Sequence, residues 1–143
     1  MRCARVKHRF VEFVPDELEA ETLYVSVEYG TVVHTCLCGC GSRVVTPLAP
    51  TEWRLTYDGE TITLAPSVGN WSFACQSHYV IRRDEVIWLP RFSRERIADV
   101  RRRDRHETAA YYAHLHGAGR VTSDRLPPSR VSWWRRLARR RAQ

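Results

Sequence analysis

From Arg5 to Leu89 apolar and polar positions alternate in short runs, the period-two signature of strands with one buried face. Thr22 to Glu28, Thr-Leu-Tyr-Val-Ser-Val-Glu, is the clearest run and predicts a strand. Arg5–Val14 alternates more loosely and predicts a first strand, and Pro15–Glu21 an acidic turn or a short helix start. Gly30 interrupts the pattern, Thr31–Thr35 resumes it, and Arg43–Thr46 continues it up to Pro47. Trp53–Tyr57 and Thr61–Leu64 flank Asp58-Gly59, a hairpin signal, because tight hairpin turns demand positive φ at their central residues. Pro66–Asn70 reads as a loop. Trp71–Ala74 and His78–Ile81 read as short strands, with a turn at Arg82–Glu85 before the strand Val86–Leu89. This spacing predicts a mainly β body, a small sandwich or barrel.

The pattern changes after Pro90. Ser93 is placed to cap a helix, with Arg96 where a full capping box would carry Glu or Gln. Ile97, Val100, Ala109, Tyr112 and Ala113 follow at roughly helical spacing up to His116, and Gly117 ends the run. Pro127-Pro128 marks a linker over 122–129, and residues 131–141 form a basic amphipathic helix candidate with Trp133 and Trp134. Two regions are therefore expected, a β domain over 1–90 and a helical, Arg-rich extension over 91–143. Charge follows the same division. Residues 1–90 carry eight Lys and Arg against eleven Asp and Glu, whereas residues 91–143 carry fifteen against five. Lys occurs once, at Lys7, a skew that genome composition alone can produce, so it says little about Arg-specific recognition. No apolar run approaches the roughly 20 residues of a membrane span. No secretory signal follows the basic residues at the N-terminus, so a cytoplasmic protein is expected.

Five cysteines, an odd number, argue against a disulfide framework in that compartment. Cys36, Cys38 and Cys40 lie within five residues, punctuated by Gly39 and Gly41, and Cys75-Gln-Ser-His78 supplies a second half-site. Thiolates around zinc must approach within about 4 Å of one another, closer than a flat strand brings a Cys-x-Cys pair. The backbone must curl, and glycine permits it. The spacing thus predicts one structural zinc ion held by Cys36, Cys38, Cys40 and Cys75, with His78 and His34 as further candidates. If the four thiolates close the site, His78 is free for chemistry. If His78 binds, one cysteine of the cluster is spare. Cys3 is read as an ordinary thiol.

Val27-Glu-Tyr-Gly-Thr, His34-Thr-Cys-Leu-Cys-Gly-Cys-Gly, Leu64-Ala-Pro-Ser-Val-Gly-Asn-Trp, Cys75-Gln-Ser-His-Tyr and Val86-Ile-Trp, in this order, resemble the BubE family. That small bacterial family is encoded beside E1-like, E2-like and ubiquitin-like proteins. The resemblance covers about residues 22–90 and leaves the tail aside. It implies a zinc-containing, serine-type peptidase that processes or removes a ubiquitin-like protein, with that protein and an E2-like enzyme as partners. His78 suits the general base of such an enzyme. Ser67, beside Gly69 and Asn70 whose backbone N–H groups can serve an oxyanion, suits the nucleophile. Ser77 is the rival, but neighbours on a strand face opposite sides, which separates it from His78. Glu28 and Asn70 are the candidates for a third, orienting group.

Two other readings compete. A non-catalytic zinc-binding adaptor would dock an E2-like enzyme or a ubiquitin-like conjugate, and a Ser–His pair left free by the metal separates the peptidase from it. The basic stretch 130–143 with its tryptophans suits nucleic acid or an anionic membrane surface, although a solvated tail is preferred.

Overall fold

The computed structural model describes residues 2–118; the expected linker at 122–129 and the basic segment 130–143 lie outside the described residues. Eight strands precede one helix: β1 Lys7–Phe10, β2 Thr22–Ser26, β3 Thr31–Thr35, β4 Arg43–Pro47, β5 Arg54–Tyr57, β6 Ile62–Gly69, β7 His78–Arg82, β8 Glu85–Trp88 and α1 Arg94–Ala118. They form two four-stranded sheets, β1-β2-β3-β4 and β5-β6-β7-β8. The expected mainly β body with a helical extension is what the chain adopts. By internal contacts the chain divides into Met1–Thr108 and Ala109–Gln143, so the first half of α1 belongs to the same unit as the sheets.

One core serves both sheets. Leu23, Val25, Val32 and Val44 come from the first, and Ile62, Leu64, Val68, Tyr79, Ile81 and Val86 from the second. Along β4 and β6 buried positions alternate with more exposed ones, as a half-buried strand requires. β2 differs in being buried at every position. The cause is the crossover 11–21, which returns the chain so that β1 lies parallel to β2. Ser26 Oγ donates to the Glu12 carbonyl at 2.7 Å and the Glu19 N–H donates to Tyr24 Oη at 3.3 Å. The acidic segment forms turns over β2 rather than a helix.

Three local expectations are corrected. Pro66–Gly69 is strand, not loop: β6 runs on through a register shift between Leu64 and Val68, after a cis Ala65–Pro66 bond. Trp71–Ala74 is a turn rather than a strand, held by Phe73 N–H to the Asn70 carbonyl and Gln76 N–H to the Phe73 carbonyl. The hairpin at Asp58-Gly59 closes through a longer loop, because Tyr57 pairs with Ile62. Asp58 takes no positive φ; its carboxylate accepts from the Glu60 and Thr61 N–H groups. The two-residue turn is instead Arg83-Asp84, both at positive φ. There Asp84 ties the core together, its carboxylate accepting from the Ile62 N–H at 2.9 Å and its carbonyl from the Val6 N–H at 2.8 Å. Ser93 caps α1, accepting the Arg96 N–H at 3.3 Å.

Candidate functional site

The loop between β3 and β4 curls as the cysteine spacing requires. Gly39 and Gly41 take φ of 85° and 78°, values that side-chain-bearing residues rarely adopt. Gly39 N–H closes on the Cys36 carbonyl and Cys36 N–H on the Ser42 carbonyl. Cys75 arrives from the turn before β7, followed by Gln76 at φ 44°. The Sγ atoms of Cys36, Cys38, Cys40 and Cys75 lie within 4.8 Å of one another. Cys36–Cys38 is 3.4 Å, Cys36–Cys75 3.9 Å and Cys40–Cys75 3.7 Å. A tetrahedron of thiolates at about 2.3 Å from a metal has edges of about 3.8 Å. These four cysteines can therefore hold a metal ion. Burial pushes the Cys36 and Cys38 thiols up, Cys38 to about 12, while hydrogen bonds with Ser42 bring Cys40 down to about 6.

Neither histidine candidate joins the cluster. His34 is fully buried on β3, with Nε2 2.8 Å from Tyr79 Oη. Its Nδ1 has no partner, and burial lowers its pKa to about 4.

His78 opens β7 and turns the other way. Its Nε2 is 2.9 Å from Ser67 Oγ, and its Nδ1 is 2.9 Å from the Pro90 carbonyl oxygen. A carbonyl only accepts, so Nδ1 carries the proton and Nε2 is left to accept from the Ser67 hydroxyl. The register shift in β6 contributes to this meeting. Gly69 stands opposite His78, which puts Ser67 diagonally across from it. The Trp71 ring lies 4.8 Å from the His78 ring, Phe92 lies 4.5 Å from it on edge, and the two aromatics stack at 5.0 Å. Gly69 allows this wall: a Cβ there would collide with the Trp71 indole.

Ser77, one residue earlier, faces the cysteines. Its Oγ is 3.1 Å from Cys36 Sγ and accepts from Asn70 Nδ2 at 2.9 Å. Asn70 also donates toward Tyr79 Oη at 3.4 Å, so its side chain connects the cluster to the core rather than orienting His78. Its backbone N–H is committed to the Ser77 carbonyl and is not open to a substrate. Glu28 lies exposed in the turn between β2 and β3. The group that orients His78 is thus the Pro90 carbonyl. A backbone oxygen leaves no residue-type signal, and neither the Pro90 contact nor the Trp71–Phe92 wall was expected from the sequence.

Compared with the curated proteins and with the solved structures, the chain matches none. The model of the family described as bacterial ubiquitination-like system serine protease (BubE) matches residues 10–89. The match takes in all four cysteines, Ser67 and His78, and ends one residue before Pro90. It extends over more than half of the chain, which therefore belongs to the BubE family.

Proposed function

We propose that the protein is a serine peptidase that cleaves a ubiquitin-like protein from an extension or a conjugate, with Ser67 as nucleophile and His78 as base. The observation that carries this reading is the Ser67–His78 hydrogen bond, with Nδ1 fixed on Pro90 and no cysteine involved. In the first step Ser67 Oγ attacks the scissile carbonyl carbon and its proton passes to Nε2. The carbonyl electron pair moves to oxygen, and backbone N–H groups beside the nucleophile receive that oxyanion. Collapse expels the amine, which takes the proton from Nε2 and leaves an acyl-serine. Water, deprotonated by the same nitrogen, then releases the carboxylic acid and regenerates the hydroxyl. Pro90 contributes no negative charge, so the Trp71 ring, tilted against His78 at 4.8 Å, assists the transient imidazolium.

The ion that the cysteine cluster would hold is read as zinc, for which a closed set of four thiolates is a structural site. When bound it ties the β3–β4 loop to the turn before His78 and supplies no chemistry to the reaction. The setting is the cytoplasm, with the ubiquitin-like protein and an E2-like enzyme as partners.

A fluorophosphonate probe should label Ser67 in the wild type and fail to label His78→Ala, while a ubiquitin-like fusion is cut by the wild type alone. A chain that is neither labelled nor active on any fusion, yet retains E2-like or ubiquitin-like partners on a column, is an adaptor.

A further inference from the structure

We propose that the substrate enters as an extended, unstructured segment laid along the unpaired side of β6, with an apolar side chain seated beside Trp53. This deepens the peptidase reading and rests on it. Backbone groups on a strand alternate in direction. Asn70 N–H bonds the Ser77 carbonyl on the β7 side, whereas the His78 carbonyl points away from β6 to the Leu89 N–H. Asn70 and Val68 therefore turn toward β7, and Ser67 and Gly69 turn their N–H and C=O groups the other way. On that side β5 begins only at Arg54, opposite Ala65. The preceding residues are engaged elsewhere, Glu52 N–H with Ala49 and Trp53 N–H with Pro47. Among the described residues no strand pairs with Ser67–Gly69 on that side, whereas β7 pairs with Val68 and Gly69 on the other.

A cavity of about 750 Å³ and another of about 600 Å³ meet at this edge. The smaller lies over Ser67 and Gly69, between Trp53 and the first turns of α1. The larger shares Trp53 and Pro66 with it and continues over Leu55 and Leu48 to Val27. An extended chain crossing Ser67 completes the ladder on Gly69, as an added strand does. It then carries a side chain about two or three residues from the scissile bond, at about 3.3 Å per residue, into the apolar cavity. The continuity of this groove with the Ser67–His78 pair, its apolar far end and its unpaired backbone fit a flexible peptide segment rather than a folded surface.

Internally quenched peptides test this with the full-length protein. Replacing backbone amides by esters one at a time should lower kcat/KM by about tenfold where the N–H faces Gly69 and leave the neighbouring positions unchanged. Asp in place of the apolar residue should lower kcat/KM by a similar factor. So should Val27→Asp, at a position 73% exposed, with Tm unchanged. Peptides cut at rates indifferent to every ester replacement and to Val27→Asp overturn the strand docking while leaving the peptidase standing. Failure of Ser67 to react with a fluorophosphonate overturns both.

Discussion

The cysteine cluster and the Ser67–His78 pair are built from neighbouring residues by different means. The cluster is a loop structure. Its backbone path is set by two left-handed glycines and its ligands come from turns on either sheet. The pair is a strand structure, placed by a register shift in β6 and by the first residue of β7. Ser77 and His78 are the dividing line: one hydroxyl is committed to Cys36 and Asn70, and the next side chain to Ser67 and Pro90. The comparison teaches that the cysteine cluster and the Ser67–His78 pair share backbone but no side chain. Stability and activity should therefore fail separately.

The largest expected effect falls on the cluster. Cys75→Ser removes a ligand shared by both segments, and because metal binding free energy is folding free energy in small domains, the cooperative melt should vanish together with the metal. Elemental analysis and circular dichroism on the purified variant check this; a folded Cys75→Ser that retains its metal breaks the separation. Next come Ser67→Ala and His78→Ala, each expected to lower kcat/KM about a thousandfold or more with metal content and Tm unchanged. Ser77→Ala should do the reverse, keeping cleavage and weakening metal retention against a chelator. A smaller effect is expected for Gly69→Ala. The new Cβ displaces Trp71 from His78, and cleavage should fall by about ten- to a hundredfold while the metal stays bound. Intact turnover in that variant means that the aromatic wall does not hold the imidazole.

A further effect belongs to neither site. His34 is buried as the neutral imidazole, its pKa lowered by burial to about 4 from 6.5. Below pH 6.5 the unfolded chain binds a proton that the folded chain refuses. Stability is thus full above pH 6.5 and declines as pH falls toward 4, by about 3 kcal/mol across the window. Urea melts from pH 7 to pH 4 measure it, and His34→Phe should flatten the profile if His34 is its source.

Much of this was legible because it depends on residue type. Alternation at Thr22–Glu28 and Thr31–Thr35 marks β2 and β3, and glycine between cysteines announces a curled loop. The resemblance to the BubE family singled out Ser67 and His78, and the structure brings their side chains within 2.9 Å of each other. The misses have a common physical cause. Pro66–Gly69 looks like a loop because proline and glycine are local signals, yet tertiary pairing with β7 holds it as a strand. Trp71–Ala74 looks like a strand by its apolar content, but Trp71 spends its ring on Gly69 and His78 rather than in a ladder. The parallel pairing of β1 with β2 depends on where a crossover lands, and the Pro90 carbonyl on where a backbone oxygen points; neither has a composition.

The two residues between Cys75 and His78 set one further condition. Lengthening that spacer by one residue would preserve every cysteine, the serine and the histidine, yet it would carry the imidazole round to the thiolate side and leave Ser67 without its hydrogen-bond partner. Shortening it would do the same. Insertions and deletions here are therefore frame-sensitive in a geometric sense: a length change breaks the contact while the motif inventory stays complete. A relative with all six side chains but a different count between positions 75 and 78 should lack the serine–histidine contact, whatever its overall similarity.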